Sequence, residues 1–126
     1  MIIISLAACS NYVYDLRGQF DNSLQKYNQL YRWSEFDDAS VFYADPRSAG
    51  ALSRLEAAKN VKIVDLHVRS ILLDEIKRKA TVDVDIEYHF RTTTRVKSLR
   101  DRQEWAYKDE PGLTGWRLIS PLPEFK

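Results

Sequence analysis

An α+β domain, with helices first and an antiparallel sheet after them, is the fold class this sequence predicts, and three observations predict it. Phe20, Leu24, Tyr27, Leu30 and Tyr31 recur at spacings of four, three, three and one, which is one face of an α-helix. Thr81–Phe90 alternates over its whole length, with Val82, Val84, Ile86, Tyr88 and Phe90 in one phase and polar residues in the other. A period of two belongs to a strand buried on one face. From Val61 onward the period stays near two and is broken by turn-forming stretches at Asp74–Lys79, Thr92–Thr94 and Asp109–Gly112. Helices gathered ahead of a curved antiparallel sheet of about four strands pack on one of its faces.

The first helix carries Asp21, Gln25, Asn28 and Arg32 on the side away from its apolar face. A second, short helix is expected from Ser34, where Ser34-Glu35-Phe36-Asp37 reads as an N-cap with an acidic residue three positions on. Trp33 would staple it to the next turn. Asp45-Pro46 breaks the pattern, and Leu52–Lys59 makes a third helix with Leu52, Leu55 and Ala58 inward. The aromatics of this region (Tyr27, Tyr31, Trp33, Phe36, Phe42, Tyr43) are expected in the core. In the first strand Val64, Leu66, Val68 and Leu72 share a phase, while Val61 and Ile63 do not, so a bulge is predicted near Ile63–Asp65. The third strand, Arg95–Lys108, settles with Leu99, Trp105 and Tyr107 on one side. Trp116–Ile119 is a last short strand, closed by Pro121 and Pro123.

A length of 126 residues is one domain's worth, enough to bury roughly two-thirds of the unfolded surface. The 19 basic and 18 acidic residues nearly cancel, so the clustered basic surplus of a nucleic-acid binder is lacking and no nucleic-acid partner is expected. No run approaches the roughly 18 apolar residues that cross a bilayer. Cys9 is the only cysteine, which rules out an intrachain disulfide and leaves no other thiol to hold a metal. Without a glycine-rich phosphate loop, a nucleophile elbow or a paired-histidine zinc motif, no cofactor or metal is expected.

The apolar start of the chain ends in Leu6-Ala7-Ala8-Cys9. That arrangement resembles the lipobox of bacterial lipoproteins, in which small residues admit the signal peptidase and the cysteine receives lipid. The resemblance implies that residues 1–8 are a signal-peptide remnant, that Cys9 becomes a diacylated N-terminus, and that residues 9–18 form a tether to a domain spanning 19–126. Ser10 agrees with sorting to the periplasmic face of the outer membrane. Each buried methylene of such a lipid adds ~0.8 kcal/mol of membrane affinity. The competing reading makes Ile2–Leu6 a short buried strand and Cys9 a small core residue.

Four further stretches point to a family: Tyr31-Arg32-Trp33, the helix at Ser34, Gln103-Glu104-Trp105-Ala106-Tyr107, and Gly115-Trp116-Arg117-Leu118. With these the chain resembles the NTF2-like (cystatin-like cone) superfamily over residues 19–122. The resemblance implies a cone whose cavity lies on the helix-covered side of the sheet and whose other face often serves for homodimerisation. The superfamily spans enzymes, transport receptors, dimerisation modules and lipoproteins, so the fold does not choose the function.

The two histidines, His67 and His89, are the natural acid–base candidates near neutral pH, but both fall in the polar phase of their strands and are expected to face away from the cavity. Asp83, Asp85, Glu87 and His89 stand about 7 Å apart along their strand, too far to share one ion. Arg95, Lys97, Arg100 and Arg102 on the next strand make a cross-strand charge ladder of them instead. Asp101 and Gln103 face inward if the phase of Leu99–Tyr107 holds throughout; a bulge near Ser98–Asp101 would return Asp101 to solvent. An inward Asp101 with Gln103, Trp105, Tyr107, Tyr88 and Tyr31 would line a pocket, and its carboxyl would titrate high.

These readings converge on a membrane-anchored envelope domain that binds a protein partner or a small apolar ligand without chemistry. Two rivals stand beside it: a small enzyme of the isomerase or dehydratase kind using Asp101, and an assembly component of an envelope secretion or transport complex docked through its helices. A homodimer would need an apolar patch on the sheet's outer face, where the charged phase argues against one.

Overall fold

The computed structural model describes the backbone of residues 3–126 and the side chains from Asp15 onward. The lipobox-like stretch Leu6-Ala7-Ala8-Cys9 lies outside the described side chains. Three N-terminal helices pack against one face of an open, four-stranded antiparallel sheet. They are α1 (Ile3–Arg32), α2 (Phe36–Ala39), continued by a 3-10 turn at Ser40–Phe42, and α3 (Ala49–Ala58). The strands β1 (Val61–Asp74), β2 (Lys79–Phe90), β3 (Lys97–Glu110) and β4 (Leu113–Leu118) lie side by side in chain order.

Helix α1 begins well before the first predicted turn, so residues 11–18, which show no clear helical period, belong to it. Its inward stripe is Leu16, Phe20, Leu24, Tyr27 and Tyr31, with Leu16 half-buried. The helix stops at a Schellman motif: the Ser34 N–H bonds the Tyr31 carbonyl at 3.0 Å, and the Glu35 N–H bonds the Leu30 carbonyl at 2.9 Å. Ser34 takes the left-handed position at φ 60° that glycine usually fills. The expected N-cap at Ser34 is thereby corrected. Ser34 ends α1, its Oγ accepts the Ile63 N–H at 2.9 Å, and the residue flanking α2 is Glu35, whose side chain makes no cap. Trp33 does not staple α2 either; it is 65% exposed.

Helix α3 is capped by Ser48, whose Oγ accepts the Ala51 N–H at 3.2 Å. Ala51 and Ala58 are buried and Leu55 half-buried, a stripe at four and three residues that rotates the expected Leu52 into solvent.

Strand β1 carries the predicted register shift at Ile63/Asp65 and a second one at Val68/Ser70. The second shift puts Leu73 opposite buried Ala80 and leaves Leu72, expected inward, 72% exposed. Two consecutive apolar residues, Leu72 and Leu73, conceal that change of phase from the sequence. Strand β2 keeps one phase, with Val82, Val84, Ile86 and Tyr88 buried. The β1–β2 turn is held by the Asp74 carboxylate, which accepts the N–H groups of Ile76 and Lys77 at 3.1 and 3.0 Å. Between β3 and β4, Pro111-Gly112 makes a two-residue turn in which Gly112 has φ 79°.

Trp105 lies at the middle of the core. Phe20 and Tyr27 of α1 and Phe42 of the 3-10 turn meet it edge to face at 5.8, 5.6 and 6.2 Å between ring centres. Trp116 of β4 packs on Phe20 at 4.9 Å and donates its indole N–H to the Leu16 carbonyl at 3.0 Å, tying α1 to the last strand.

Candidate functional site: a buried polar cluster

The pairing of β2 with β3 runs without a register shift from Tyr88↔Lys97 to Lys79↔Ala106. No bulge interrupts Ser98–Asp101, so Asp101 lies opposite Val84, Gln103 opposite Val82 and Trp105 opposite Ala80, all on the helix-covered face. Asp101 is 6% exposed and Gln103 is fully buried. Helix α1 places Tyr27, Asn28 and Tyr31 above them, and Tyr43 arrives from the segment after the 3-10 turn.

Half of this cluster is fully bonded. The Gln103 amide donates to Asn28 Oδ1 at 2.8 Å and accepts the Trp105 indole N–H at 3.2 Å. The Tyr27 and Tyr43 hydroxyls meet at 3.2 Å. The other half is not. The Tyr31 hydroxyl is buried beside the Asp101 carboxyl, and the hydrogen bond between them, which is outside ideal geometry, bears on the protonation of both groups. Burial raises the Asp101 carboxyl to about 7, an effect that the nearby Tyr31 hydroxyl only partly offsets. Burial likewise drives the Tyr27, Tyr31 and Tyr43 hydroxyls above their ordinary range, with the Asp101 charge adding to the rise at each. Asp101 can therefore hold or release a proton near neutrality, beside a phenol that stays protonated.

Of the pocket residues expected from sequence, Tyr31, Asp101, Gln103 and Trp105 are brought together. Tyr88 and Tyr107 are not: they lie toward opposite ends of the sheet, Tyr88 opposite Lys97 and Tyr107 opposite Trp116. Tyr27, Asn28 and Tyr43 join the cluster without having been singled out as site residues. Asn28 was expected on the outer face of α1 but is buried; its place four residues after Leu24 and three before Tyr31 is the signal for that.

Both histidines lie in the outward phase. His67 is exposed opposite Asp85, and His89 Nδ1 sits 2.8 Å from the Phe90 carbonyl. The outer face carries the expected ladder in part, at Asp83 and Asp85 with Arg102 and Arg100, and Arg69 of β1 joins it. Asp83 takes two bonds from Arg102, at 2.9 and 3.2 Å, and Asp85 lies 3.1 Å from both Arg69 and Arg100. The Arg102 bonds hold Asp83 below its ordinary range. At Asp85 partial burial pushes the carboxyl up, but Arg69 and Arg100 outweigh it and the net shift is down. Among the described residues no three potential ligands gather to hold a metal, and no helix is long and apolar enough to cross a membrane.

Two apolar hollows open at the surface. One, of about 320 Å³, is walled by Leu30, Trp33 and Phe42 with Lys26 and Glu35 on its rim. The other, of about 530 Å³, runs between α1 and the edge strand β1 along Leu24, Leu66, Val68 and Ile71. No protein-family model matches this chain, and no curated protein or solved structure matches it at a significant level.

Proposed function

We propose that this chain is a lipid-anchored domain of the bacterial cell envelope, built as an NTF2-like cone, that binds a protein partner through its helical layer. Cys9 would carry the lipid, and the periplasmic face of the outer membrane is the proposed location. The observation that carries the binding function is Trp33, an indole 65% exposed on the wall of an apolar hollow with Leu30 and Phe42. Tryptophan set beside an apolar hollow is the side chain that most often dominates a protein–protein contact. The outer sheet face offers the opposite surface, with arginines and aspartates already paired across strands, which favours solvation over a homodimer contact. Chemical cross-linking in intact cells tests this reading. One abundant protein adduct is expected, and Trp33→Ala is expected to remove it. No adduct, or one that survives the substitution, overturns the reading.

A second reading rests on Asp101. A carboxyl that titrates at about 7 beside Tyr31 suits proton transfer, as the isomerase or dehydratase alternative requires. Loss of turnover in Asp101→Asn, on an aldol- or enol-type substrate, is its test.

A further inference from the structure

The two edges of the sheet are finished differently. At one edge β4 is six residues long, and the segment after the 3-10 turn covers its end: Tyr43 bridges Leu118, and the Ala44 N–H bonds the Leu118 carbonyl at 2.9 Å. At the other edge β1 runs for 14 residues and, among the described residues, pairs only with β2. Its start is covered, since the Ile63 N–H bonds Ser34 Oγ and the Arg32 guanidinium donates to the Ile63 carbonyl at 3.4 Å. Beyond that point the edge lies open. The Leu66 N–H turns to the carboxylate of its own neighbour Asp65, at 2.9 Å, instead of to β2. By alternation the Val68 main chain faces the same way. An open edge is a template for another strand.

What this edge presents is complementary to itself. Between the two register shifts, Asp65–Val68 is regular strand. A second copy laid antiparallel to it, about a two-fold axis at His67, sets Leu66 against Val68 and Asp65 against Arg69, each twice. The outward N–H and C=O groups of Leu66 and Val68 then exchange bonds as an antiparallel pair requires. The Asp65 and Arg69 side chains are 66% and 52% exposed, so each is open to a partner charge even though Arg32 and Asp85 stand near them. On the inner face, Leu66 and Val68 are half-buried and line, with Ile71, the hollow of about 530 Å³ beside α1. The same pairing carries that hollow across the axis to its twin. Charge also selects the register. An axis at Val68 would set Arg69 against His67, and one at Leu66 would set Arg69 against Ile63, whose edge is already covered.

We propose that the open edge of β1 joins two copies of this chain, antiparallel about a two-fold axis at His67, so that their two sheets continue into one. Asp65–Arg69 pairs close the outer face of the contact and the joined apolar hollows its inner face. The contact needs neither lipid nor the Trp33 surface.

Sedimentation equilibrium of the full chain tests this, with Cys9→Ala present so that neither lipid nor a disulfide joins copies. A reversible dimer is expected, with the Leu66 and Val68 amides exchanging more slowly as concentration rises. Asp65→Arg and Arg69→Asp each set like charges face to face at two places, and each is expected to weaken the dimer roughly 10-fold or more. Mixed in equal amounts, the two variants bring opposite charges together at both places and are expected to form a heterodimer near the natural affinity. Trp33→Ala is expected to leave the dimer unchanged. A chain still monomeric at about 1 mM would overturn the proposal. So would a dimer without protection at Leu66 and Val68, one that either charge variant leaves intact, or one that mixing fails to restore while thermal unfolding shows both variants folded.

Discussion

Replacing Asp101 by asparagine changes neither size nor shape but removes a proton, and the consequence can be worked from the burial of that side chain. In the folded chain the carboxyl titrates at about 7, against an ordinary value of 3.8. Between those two pH values the unfolded chain has lost the proton while the folded chain still holds it. The unfolded state then binds fewer protons, so stability falls as pH rises. Each pH unit in that window is ~1.4 kcal/mol, and the whole window is roughly 4 kcal/mol. The natural protein is expected to carry none of this penalty below about pH 4 and all of it above about pH 7. Asp83 and Asp85 work in the opposite sense: their folded carboxyls are held low by arginines, and the stability they add is lost as pH falls. Both proteins retain those two groups, so they cancel in the comparison. Urea unfolding followed by tryptophan fluorescence, repeated from about pH 4.5 to about pH 8, is the assay. The stability of Asp101→Asn minus that of the natural chain should be small at the acid end and grow to roughly 4 kcal/mol at the alkaline end. A difference that stays constant across the range would refute the assignment of Asp101 as a carboxyl raised by burial.

Other substitutions probe the structure around that site. Asn28→Ala leaves the buried Gln103 amide without its acceptor and is expected to cost about 1–3 kcal/mol in urea unfolding. Ser34→Ala keeps the left-handed strain at the end of α1 and strips the Ile63 N–H of its acceptor, a loss of about 1–3 kcal/mol. Ser34→Gly loses the same bond but relieves about 1 kcal/mol of backbone strain, so its unfolding midpoint should fall between those of the natural chain and Ser34→Ala. Arg102→Ala, on the exposed ladder, should leave the urea unfolding midpoint close to that of the natural chain, because surface ion pairs are screened and entropically costly.

The sheet was the most legible part of the chain. The phase of β2, the bulge near Ile63, the charged ladder and the inward turn of Asp101 and Gln103 all follow from the period of two, a local property that one residue in the wrong phase would disturb. The helical layer was less legible, because its faces are decided by packing. Trp33 looks like core by composition, yet the Schellman turn at Ser34 swings it outward. Leu52 loses its inward place to Ala51, which shares the inward stripe of α3 with Leu55 and Ala58. The long start of α1 carries weak periodicity, since the Asn11–Gly18 stretch places only Leu16 on the inward stripe among the described side chains. The site divided the same way. Strand residues Asp101 and Gln103 were visible, whereas Tyr43 reaches the cluster through a bridge between Tyr43 and Leu118 that no local pattern announces. The packing of Leu122 and Phe125 on the core was equally hidden, because each acts singly against strands and helices far away in sequence.

Whether lipid holds this domain to an envelope membrane, as proposed, is decided by the mass of the N-terminal peptide of the native protein recovered from a membrane fraction. A peptide that begins at an acylated Cys9 is predicted, together with a Cys9→Ala protein that is neither processed nor acylated. An unmodified peptide that retains Met1–Ala8, recovered from soluble protein, would contradict the claim and move the Asp101 enzyme reading to the front.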